Sequence, residues 1–298
     1  MPKLSIIILS YNTRDITKQC LQTLIKSLTS TKLFETEVIV ADNASTDGTQ
    51  AMLSEFKKTF SSQHISLVTI FNEKNEGFTR GNNQSARQAK GQHILFLNSD
   101  VIIDNVDWGI LIKYFESDSN LAVLTVKVTL DNGLIDPASH RGFPTIFRSF
   151  CYYSKLETIT KPVPYLNKVF GGYHLTDLDL SKSHEIDSPS GAFYLVKKDI
   201  FEKVHGFDED FFMYGEDLDL SYRIKEMGYK IIYYPDFKVR HLKYRSGLGT
   251  VDKTILMKTR AHFYDAMRIF YEKHYAPTKP EFINKLIYNL IKLKSQIS

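Results

Sequence analysis

The sequence predicts an α/β fold in which a doubly wound, mainly parallel sheet is flanked by helices and followed by C-terminal helices. Short apolar runs alternate with stretches whose apolar residues recur at helical spacing, which is the order typical of such sheets. Polar residues follow three of the four apolar runs in the first hundred residues. The 298 residues, 43% of them hydrophobic, are enough for one large domain or two smaller ones.

The elements are assigned in chain order from their apolar pattern. A continuous apolar run predicts a buried first strand, and apolar residues from Ile16 to Leu28 recur at helical spacing after it. The predicted strands span residues 4–9, 37–41, 64–71 and 93–97. Helices are predicted between them, the third one following a polar stretch at 72–83 and ending near Ala89. Right-handed crossovers between these strands give a mainly parallel sheet.

Polar side chains gather where the strands end, and this is the edge at which such sheets bind ligands. Ser10, Tyr11 and Asn12 follow the first strand, Asp42 and Asn43 the second, and Asn98 and Asp100 the fourth. Neither a dinucleotide-binding glycine motif nor a P-loop is present, which excludes those two classes of site. Tyr11 could pack on a nucleobase, and Asp42 could hydrogen-bond a base or ribose. The alternative is a plain loop that caps the next helix.

Asp100 is a candidate ligand of a divalent cation. Mg²⁺ takes one or two protein carboxylates and completes its shell with water and phosphate oxygens. A second ligand must come from elsewhere, and His241, at the end of an apolar-aromatic strand predicted over 229–239, is the candidate. An imidazole ligand favours Mn²⁺ over Mg²⁺. The alternative is a structural histidine.

A run of six carboxylates lies in aromatic-rich sequence that is a poor composition for a solvated face. Its members are Asp208, Glu209, Asp210, Glu216, Asp217 and Asp219. A helix is predicted from Glu216 to a stop at Gly228, which puts Glu216 and Asp217 in the first turn, where the helix dipole favours ionised carboxylates. Asp217 could accept a proton that is lost in a transition state. Ordinary helix capping is the alternative.

These motifs together resemble glycosyltransferase family 2, the inverting transferases with the GT-A fold, and within it the rhamnosyltransferase-like branch. The matching segments are SIIILSYNT, VIVADNASTDGT, NEGFTRGNN, ILFLNSDVII, SGAFYLVKKDIF, GFDEDFFMYGEDLDLSYRIKEMGY and PDFKVRH. The resemblance implies that the nucleotide-sugar is bound by Ser10, Tyr11, Asn12, Asp42, Asn43, Asn75, Asn82 and Asn98. It further implies that Asp100 and His241 hold a divalent cation, that Asp217 is the catalytic base, and that Glu216 and Gly191 lie on the acceptor side. Asn98 stands where the family's metal motif has its first Asp, so a metal-free mechanism stays open.

The resemblance implies an inverting transfer of a sugar from a nucleotide-diphosphate donor to a hydroxyl of a surface polysaccharide or a lipid-linked glycan precursor. The branch favours dTDP-rhamnose, and a UDP-hexose is the near alternative. A catalytically silent nucleotide-binding scaffold subunit is an alternative of another class. A sugar-nucleotide pyrophosphorylase is disfavoured because no glycine-rich basic loop follows the first strand.

The predicted domain organisation is a transferase domain at 1–250, with a nucleotide-binding half (1–105) and an acceptor half (106–250), and a helical extension at 251–298. The extension carries nine Lys or Arg against four Asp or Glu, and Pro280 precedes an amphipathic stripe. This helix could pack on the transferase domain, on a second subunit, or on an anionic membrane. Residues 131–187 are predicted to form long loops whose aromatic residues either contact an acceptor glycan or belong to a variable insertion.

Two cysteines and the lack of any stretch of about 20 apolar residues favour a cytoplasmic protein, with peripheral contact at the membrane's inner face as a further option. The N-terminal apolar run is too short for a signal peptide and is interpreted as a strand. The surplus of Lys and Arg over Asp and Glu in the extension is small, and no nucleic-acid-binding motif is present, which argues against nucleic acid as a partner.

Overall fold

The computed structural model describes residues 1–31, 34–60, 64–243 and 253–297. The strands there are β1 (Leu4–Ser10), β2 (Thr36–Asp42), β3 (Ile65–Phe71), β4 (His93–Leu97), β5 (Val101–Asn105), β6 (Leu121–Thr129), β7 (His184–Glu185), β8 (Phe193–Lys197) and β9 (Lys230–His241). The helices are α1 (Arg14–Thr31), α2 (Thr49–Thr59), α3 (Gly77–Gln88), α4 (Trp108–Glu116), α5 (Ile146–Tyr153), α6 (Leu156–Thr160), α7 (Pro164–Phe170), α8 (Lys198–Lys203), α9 (Glu216–Glu226), α10 (Lys253–His274) and α11 (Glu281–Ile297).

The strands form one sheet in the order β3-β2-β1-β4-β8-β6-β9-β5, and β7 pairs with β9. The first four strands are parallel, as predicted. β8 runs antiparallel between β4 and β6, and β5 runs antiparallel to β9. The doubly wound α/β fold with C-terminal helices is therefore confirmed, and the sheet is mixed because β5 and β8 enter its second half in reverse.

Helices cover both faces of the sheet, so the strands near its centre are buried on both sides. Every residue of β2 is buried. On one face the core includes Leu21 of α1, Leu53 of α2 and Trp108 of α4. On the other face it includes Phe201 of α8 and Leu220 of α9. Burial on two faces is typical of strands in α/β sheets and fixes where each strand ends.

Two segments differ from the sequence prediction. α3 begins at Gly77 inside the stretch predicted to be polar loop, so Asn82 lies on a helix. Gly77 has φ of 89°, and a Cβ there would lie 2.5 Å from the Phe212 carbonyl oxygen, so only glycine fits this helix start. Residues 131–187 contain three short helices rather than long loops. Thr145 caps α5 by accepting a hydrogen bond from the Arg148 amide, and Pro164 starts α7.

The C-terminal helices pack on α9. Phe211 and Leu218 form a small apolar cluster with Ala266 and Phe270 of α10. The predicted domain boundary at residue 250 lies outside the described residues. In the part of the chain that the structure describes, every helix is too short or too polar to cross a membrane.

Candidate active site

The loops after β1 and β2 are joined by hydrogen bonds. Ser10 lies directly opposite Asp42 in the parallel register, so both loops leave the sheet at the same edge. The Asn12 amide donates to Ser45 Oγ over 2.8 Å, and Asn12 Oδ1 accepts from the Thr46 amide over 2.8 Å. Ser10 Oγ is buried and bonds Thr17 Oγ1 at 2.9 Å. Ser10 and Asn12 thus shape this edge, while Tyr11 remains 48% exposed above it.

Asp42 is buried, and only one of its two carboxylate oxygens is hydrogen-bonded among the described residues. Its Oδ2 accepts from the Ser45 amide and from Gln50 Nε2, both over 2.9 Å. Its Oδ1 is buried and has no hydrogen-bond partner among the described residues. Buried polar atoms are rarely left unpaired, so a free carboxylate oxygen at the predicted nucleoside position is a docking point for a donor group.

Three asparagines predicted to bind the nucleotide-sugar form hydrogen bonds around the start of α3. Asn43 Nδ2 donates to the Gly77 carbonyl over 3.0 Å and to Asn75 Oδ1 over 3.3 Å. Asn75 Oδ1 also accepts from the Gly77 amide, and Asn82 Nδ2 donates to the Phe78 carbonyl, each over 2.9 Å. These amides are used within the protein, so they position the pocket wall.

Asn98 and Gly191 meet at the next strand. The Asn98 amide donates to the Ala192 carbonyl over 3.4 Å. A Cβ on Gly191 would lie 3.1 Å from the Phe78 ring and 3.6 Å from Asn98 Oδ1. A larger residue at 191 would therefore crowd the space between Phe78 and Asn98.

Asp100 and His241 are brought together by the antiparallel pairing of β5 with β9, in which Val101 lies opposite His241. His241 Nε2 lies 3.2 Å from Asp100 Oδ1, and both side chains are buried. His241 Nδ1 lies 2.8 Å from Asp136 Oδ2, and Lys243 Nζ lies 3.0 Å from the other oxygen of Asp136. Burial lowers the pKa of His241, but the hydrogen bonds to Asp100 and Asp136 outweigh it and raise the pKa to about 9.

Asp100 and His241 would offer a divalent cation one carboxylate oxygen and, once the imidazolium has released its Nε2 proton, one ring nitrogen, with the remaining ligands coming from substrate and water. Asp136 engages Nδ1 of His241, which leaves Nε2 facing Asp100, the outer-sphere arrangement common to metal-binding histidines. Among the described residues no group of three or more His, Cys, Asp or Glu side chains could hold a metal. One carboxylate and one imidazole match the small protein share that Mg²⁺ or Mn²⁺ needs beside a diphosphate.

Asp217 lies in the first turn of α9, as predicted, and forms a buried ion pair. Arg141 Nη2 lies 2.8 Å from Asp217 Oδ2, and each side chain is 11% exposed. Asp217 Oδ1 accepts from the Leu218 amide over 2.7 Å. Tyr214 and Gly215, which precede the helix, have φ of 69° and 75°. A left-handed tyrosine is uncommon, and this turn aims the start of α9 at the edge of the sheet.

Glu216 is buried beside Asp217. Burial and the neighbouring Asp217 charge raise the pKa of Glu216 to about 8. Its Oε2 has no hydrogen-bond partner among the described residues. Since Gly215 occupies the N-cap, Glu216 does not cap α9 through its side chain. A buried carboxyl group that keeps its proton can donate a hydrogen bond to a ligand.

The other four carboxylates of the acidic run are structural. Lys273 of α10 pairs with Asp208 and Asp210, and Arg80 of α3 lies 3.2 Å from Glu209. Asp219 pairs with Arg223 and with His274 of α10. The run therefore divides in two, with Glu216 and Asp217 facing the site and the rest fastening α10 and α3.

The segment 188–192 connects the Asp217–Arg141 pair to the strand end that carries Asp100. At its start, Ser188 Oγ donates to the Asp217 carbonyl over 3.3 Å and Arg141 Nη2 donates to the Pro189 carbonyl over 3.1 Å. At its end, the Ala192 carbonyl accepts from the Asn98 amide, two residues before Asp100. Burial, Glu216 and Asp100 raise the pKa of the Tyr214 hydroxyl to about 12. Residues 188–192 thus link the Asp217–Arg141 pair to the strand end that carries Asp100.

The mixed sheet with helices on both faces gives the class of protein, the GT-A fold of glycosyltransferases. Residues 5–204 match glycosyl transferase family 2, so the chain belongs to that family. Residues 180–245 also match the family described as the N-terminal domain of galactosyltransferase. That second match covers β7 to β9, including the whole of α9, and so contains both Asp217 and His241.

The similar proteins include bacterial and archaeal transferases. The chain is 29% identical over 198 residues to rhamnosyltransferase WbbL of Escherichia coli K12, covering 63% of this chain and 69% of that protein. It is 25% identical over 217 residues to a poly-β-1,6-N-acetyl-D-glucosamine synthase of Staphylococcus epidermidis, covering 73% of this chain but only 45% of the synthase. A mannosyltransferase from Pyrobaculum calidifontis, solved with GDP-Man and Mn²⁺, has the same fold, with a TM-score of 0.58, 17% identity, and coverage of 100% of this chain and 70% of that one.

Two residues at the site were missed from the sequence. Asp136 precedes Pro137 and caps a short 3₁₀ turn by accepting from the Ala138 amide over 3.1 Å, a signal visible as Asp-Pro. Arg141 lies in the segment 131–187, for which the sequence predicted long loops and gave this residue no role. The buried carboxylate at 217 needed a cationic partner, but Arg141 lies 76 residues away in the sequence, and no local signal pointed to it.

Proposed function

We propose that this chain transfers a sugar from a nucleotide-diphosphate donor to a hydroxyl of a surface polysaccharide or a lipid-linked glycan precursor, with inversion at the anomeric carbon. The observation that carries the proposal is the segment from Ser188 to Ala192, which joins the Asp217–Arg141 pair to the strand end that bears Asp100. A proton acceptor, Asp217, linked in this way to a candidate diphosphate-binding centre at Asp100 suits a single displacement of the diphosphate at the anomeric carbon.

In the proposed reaction, Asp217 accepts the proton of the acceptor hydroxyl while the oxygen of that hydroxyl forms a bond to the anomeric carbon. The bond from that carbon to the diphosphate oxygen breaks, and the nucleoside diphosphate leaves with the electron pair. Arg141 keeps Asp217 Oδ2 in place over 2.8 Å. Glu216 would donate a hydrogen bond to the acceptor. A divalent cation on Asp100 and His241, when bound, would neutralise charge on the leaving diphosphate.

The nucleoside is proposed to lie at the ends of β1 and β2. Asp42 Oδ1 would accept from the base or the ribose, and the exposed Tyr11 ring would cover the base. Ser10, Asn12, Asn43, Asn75 and Asn82 support this pocket through their internal hydrogen bonds, and Asn98 adjoins the sugar.

The favoured donor is dTDP-rhamnose, in line with the rhamnosyltransferase name of the E. coli relative. A UDP-hexose is the near alternative, because a single carboxylate oxygen at Asp42 does not separate thymine from uracil. Gly191 beside Phe78 would leave room for a sugar ring or its acceptor.

The test is a thermal-shift panel of dTDP, UDP, GDP and ADP, each with Mn²⁺, Mg²⁺ or EDTA, followed by nucleotide release from the matching sugar donors. A ligand at 100 times its dissociation constant should stabilise the fold by about 2.7 kcal/mol. Asp100→Ala should abolish the metal-dependent shift, and Asp104→Ala, four residues further on in β5, should keep it. A lack of any nucleotide-dependent shift in the unmodified protein would overturn the proposal.

A further inference from the structure

Helix α11 has two apolar faces, and one of them is covered. Tyr288 packs against Tyr271 of α10 with ring centroids 5.7 Å apart, and Asn284 Oδ1 accepts from the Tyr271 hydroxyl over 2.8 Å. The outer face carries Phe282, Leu286, Leu290 and Leu293, which are 70%, 53%, 51% and 53% exposed. Their spacing of four, four and three residues places them in one stripe along the helix.

Lysines border this stripe. At 100° per residue, Lys285 and Lys292 fall on one side of it and Lys294 on the other. Glu281 is the single acid on the helix, and Lys285 Nζ lies 2.8 Å from its Oε1. An apolar stripe between rows of lysine is the pattern of a helix that lies in the plane of a membrane interface.

A second exposed apolar region on α5–α7 repeats this composition. Its exposed aromatic and aliphatic side chains are Phe147, Phe150, Ile159, Val163, Tyr165 and Val169. Lys155, Lys161 and Lys168 lie among them and are exposed, whereas the acid Glu157 is buried against His174. Lys294 Nζ lies 5.3 Å from the centre of the Tyr153 ring, which brings the end of α11 to α5. The outer stripe of α11 and the exposed side chains of α5–α7 are called the basic apolar surface.

We propose that the basic apolar surface binds the anionic face of a lipid bilayer, with α11 lying in the interface. The lysines complement lipid phosphates, and the phenylalanine and leucine side chains enter the boundary between headgroups and acyl chains. A second copy of the chain is a poorer occupant, because a symmetric contact through the stripe would bring the same lysines together.

This surface adjoins the proposed acceptor side. α5 begins five residues after Arg141, and the Tyr173 carbonyl, next to the surface, accepts from the Gly142 amide over 2.8 Å. Membrane binding would therefore bring a lipid-linked acceptor toward Asp217. This last step rests on the proposed function, whereas membrane binding itself does not.

The experiment is flotation of the full chain with vesicles of phosphatidylcholine alone and of an equimolar mixture with phosphatidylglycerol. The chain should float with the anionic vesicles, and added salt should weaken the binding. Leu286→Gln with Leu290→Gln, and separately Lys285→Gln with Lys292→Gln, should each lower the partition by about tenfold or more. Matched controls are Ile110→Gln with Leu134→Gln, exposed by 52% and 67%, and Lys57→Gln with Lys58→Gln on α2, all of which should float like the unmodified chain.

Failure to float with either vesicle, or flotation unchanged by both stripe variants, would overturn the inference. A dimer in sedimentation analysis that the leucine variant converts to a monomer, without vesicle binding, would assign the stripe to a second copy instead. A cooperative melting transition like that of the unmodified chain, measured on the same samples without ligand, confirms that each variant is folded. Nucleotide-dependent shifts of that transition separate the two proposals, since vesicle binding without any nucleotide shift would leave this inference standing and overturn the transferase.

Discussion

The candidate site has a donor side, at the ends of β1 and β2, and a reaction side, around Asp217 and Asp100, and the two are built differently. At the ends of β1 and β2, Ser10, Asn12 and Asp42 belong to neighbouring parallel strands, and their loops hydrogen-bond each other. On the reaction side, site residues meet across long stretches of chain, as Arg141 does with Asp217 and Asp100 with His241. The donor side is therefore built from neighbouring strand ends, while the reaction side depends on a few distant pairs.

The sharpest test of this contrast is Asp217→Asn, because it removes the proposed base and keeps the shape of the side chain. General base catalysis contributes typically 10²- to 10⁴-fold, so we expect kcat to fall by about that factor. Nucleotide-dependent thermal shifts should persist, because the donor half does not involve Asp217. Retained turnover would assign the proton transfer to another group.

Arg141→Gln tests the distant pair from its other end. Removing one partner of a buried ion pair costs about 3–5 kcal/mol, because the remaining charge loses its partner. Urea unfolding should show a large loss of stability, and adding Asp217→Asn should recover part of it. Arg148→Gln is the matched control, since its pair with Asp187 spans 2.7 Å but is more exposed, and it should cost less. Equal losses for both arginines would contradict a special strength of the Arg141 pair.

Asp136→Asn probes the support of the candidate cation centre. Partners that orient a metal-binding histidine typically contribute 10- to 100-fold in metal affinity, so Mn²⁺ should bind about that much more weakly, as measured by titration calorimetry in the presence of nucleotide. Asp187→Asn removes a carboxylate that pairs with Arg148 and Lys225, and it should leave Mn²⁺ affinity unchanged. Unchanged affinity in Asp136→Asn would exclude a supporting role for this residue.

The same contrast explains what the sequence revealed. The parallel strands, the polar strand ends and the start of α9 at Glu216 follow from local periodicity and turn residues, and Gly228, with φ of 84°, ends that helix as predicted. His241 was named as a second ligand beside Asp100 from its place at a strand end and again from the family resemblance, and the pairing of β5 with β9 brings the two side chains together. Local patterns could not assign Arg141 to Asp217, nor separate Glu216 from Asp219, because the deciding partners, such as His274, lie far along the chain.

The last prediction concerns Glu216, whose proton depends on its burial beside Asp217. Because the pKa of Glu216 is raised to about 8 in the fold, from an ordinary value of 4.5, the folded state holds a proton that the unfolded state releases. Its contribution to stability is complete below pH 4.5 and is lost as the pH rises to about 8. Glu216→Gln should therefore flatten the decline in the free energy of unfolding between about pH 5 and pH 8. Glu202→Gln, on the exposed side of α8, should keep the slope of the unmodified protein. Identical slopes for Glu216→Gln and the unmodified protein would mean that Glu216 is ionised in the fold, and the hydrogen bond proposed from it to the acceptor would then have no proton to use.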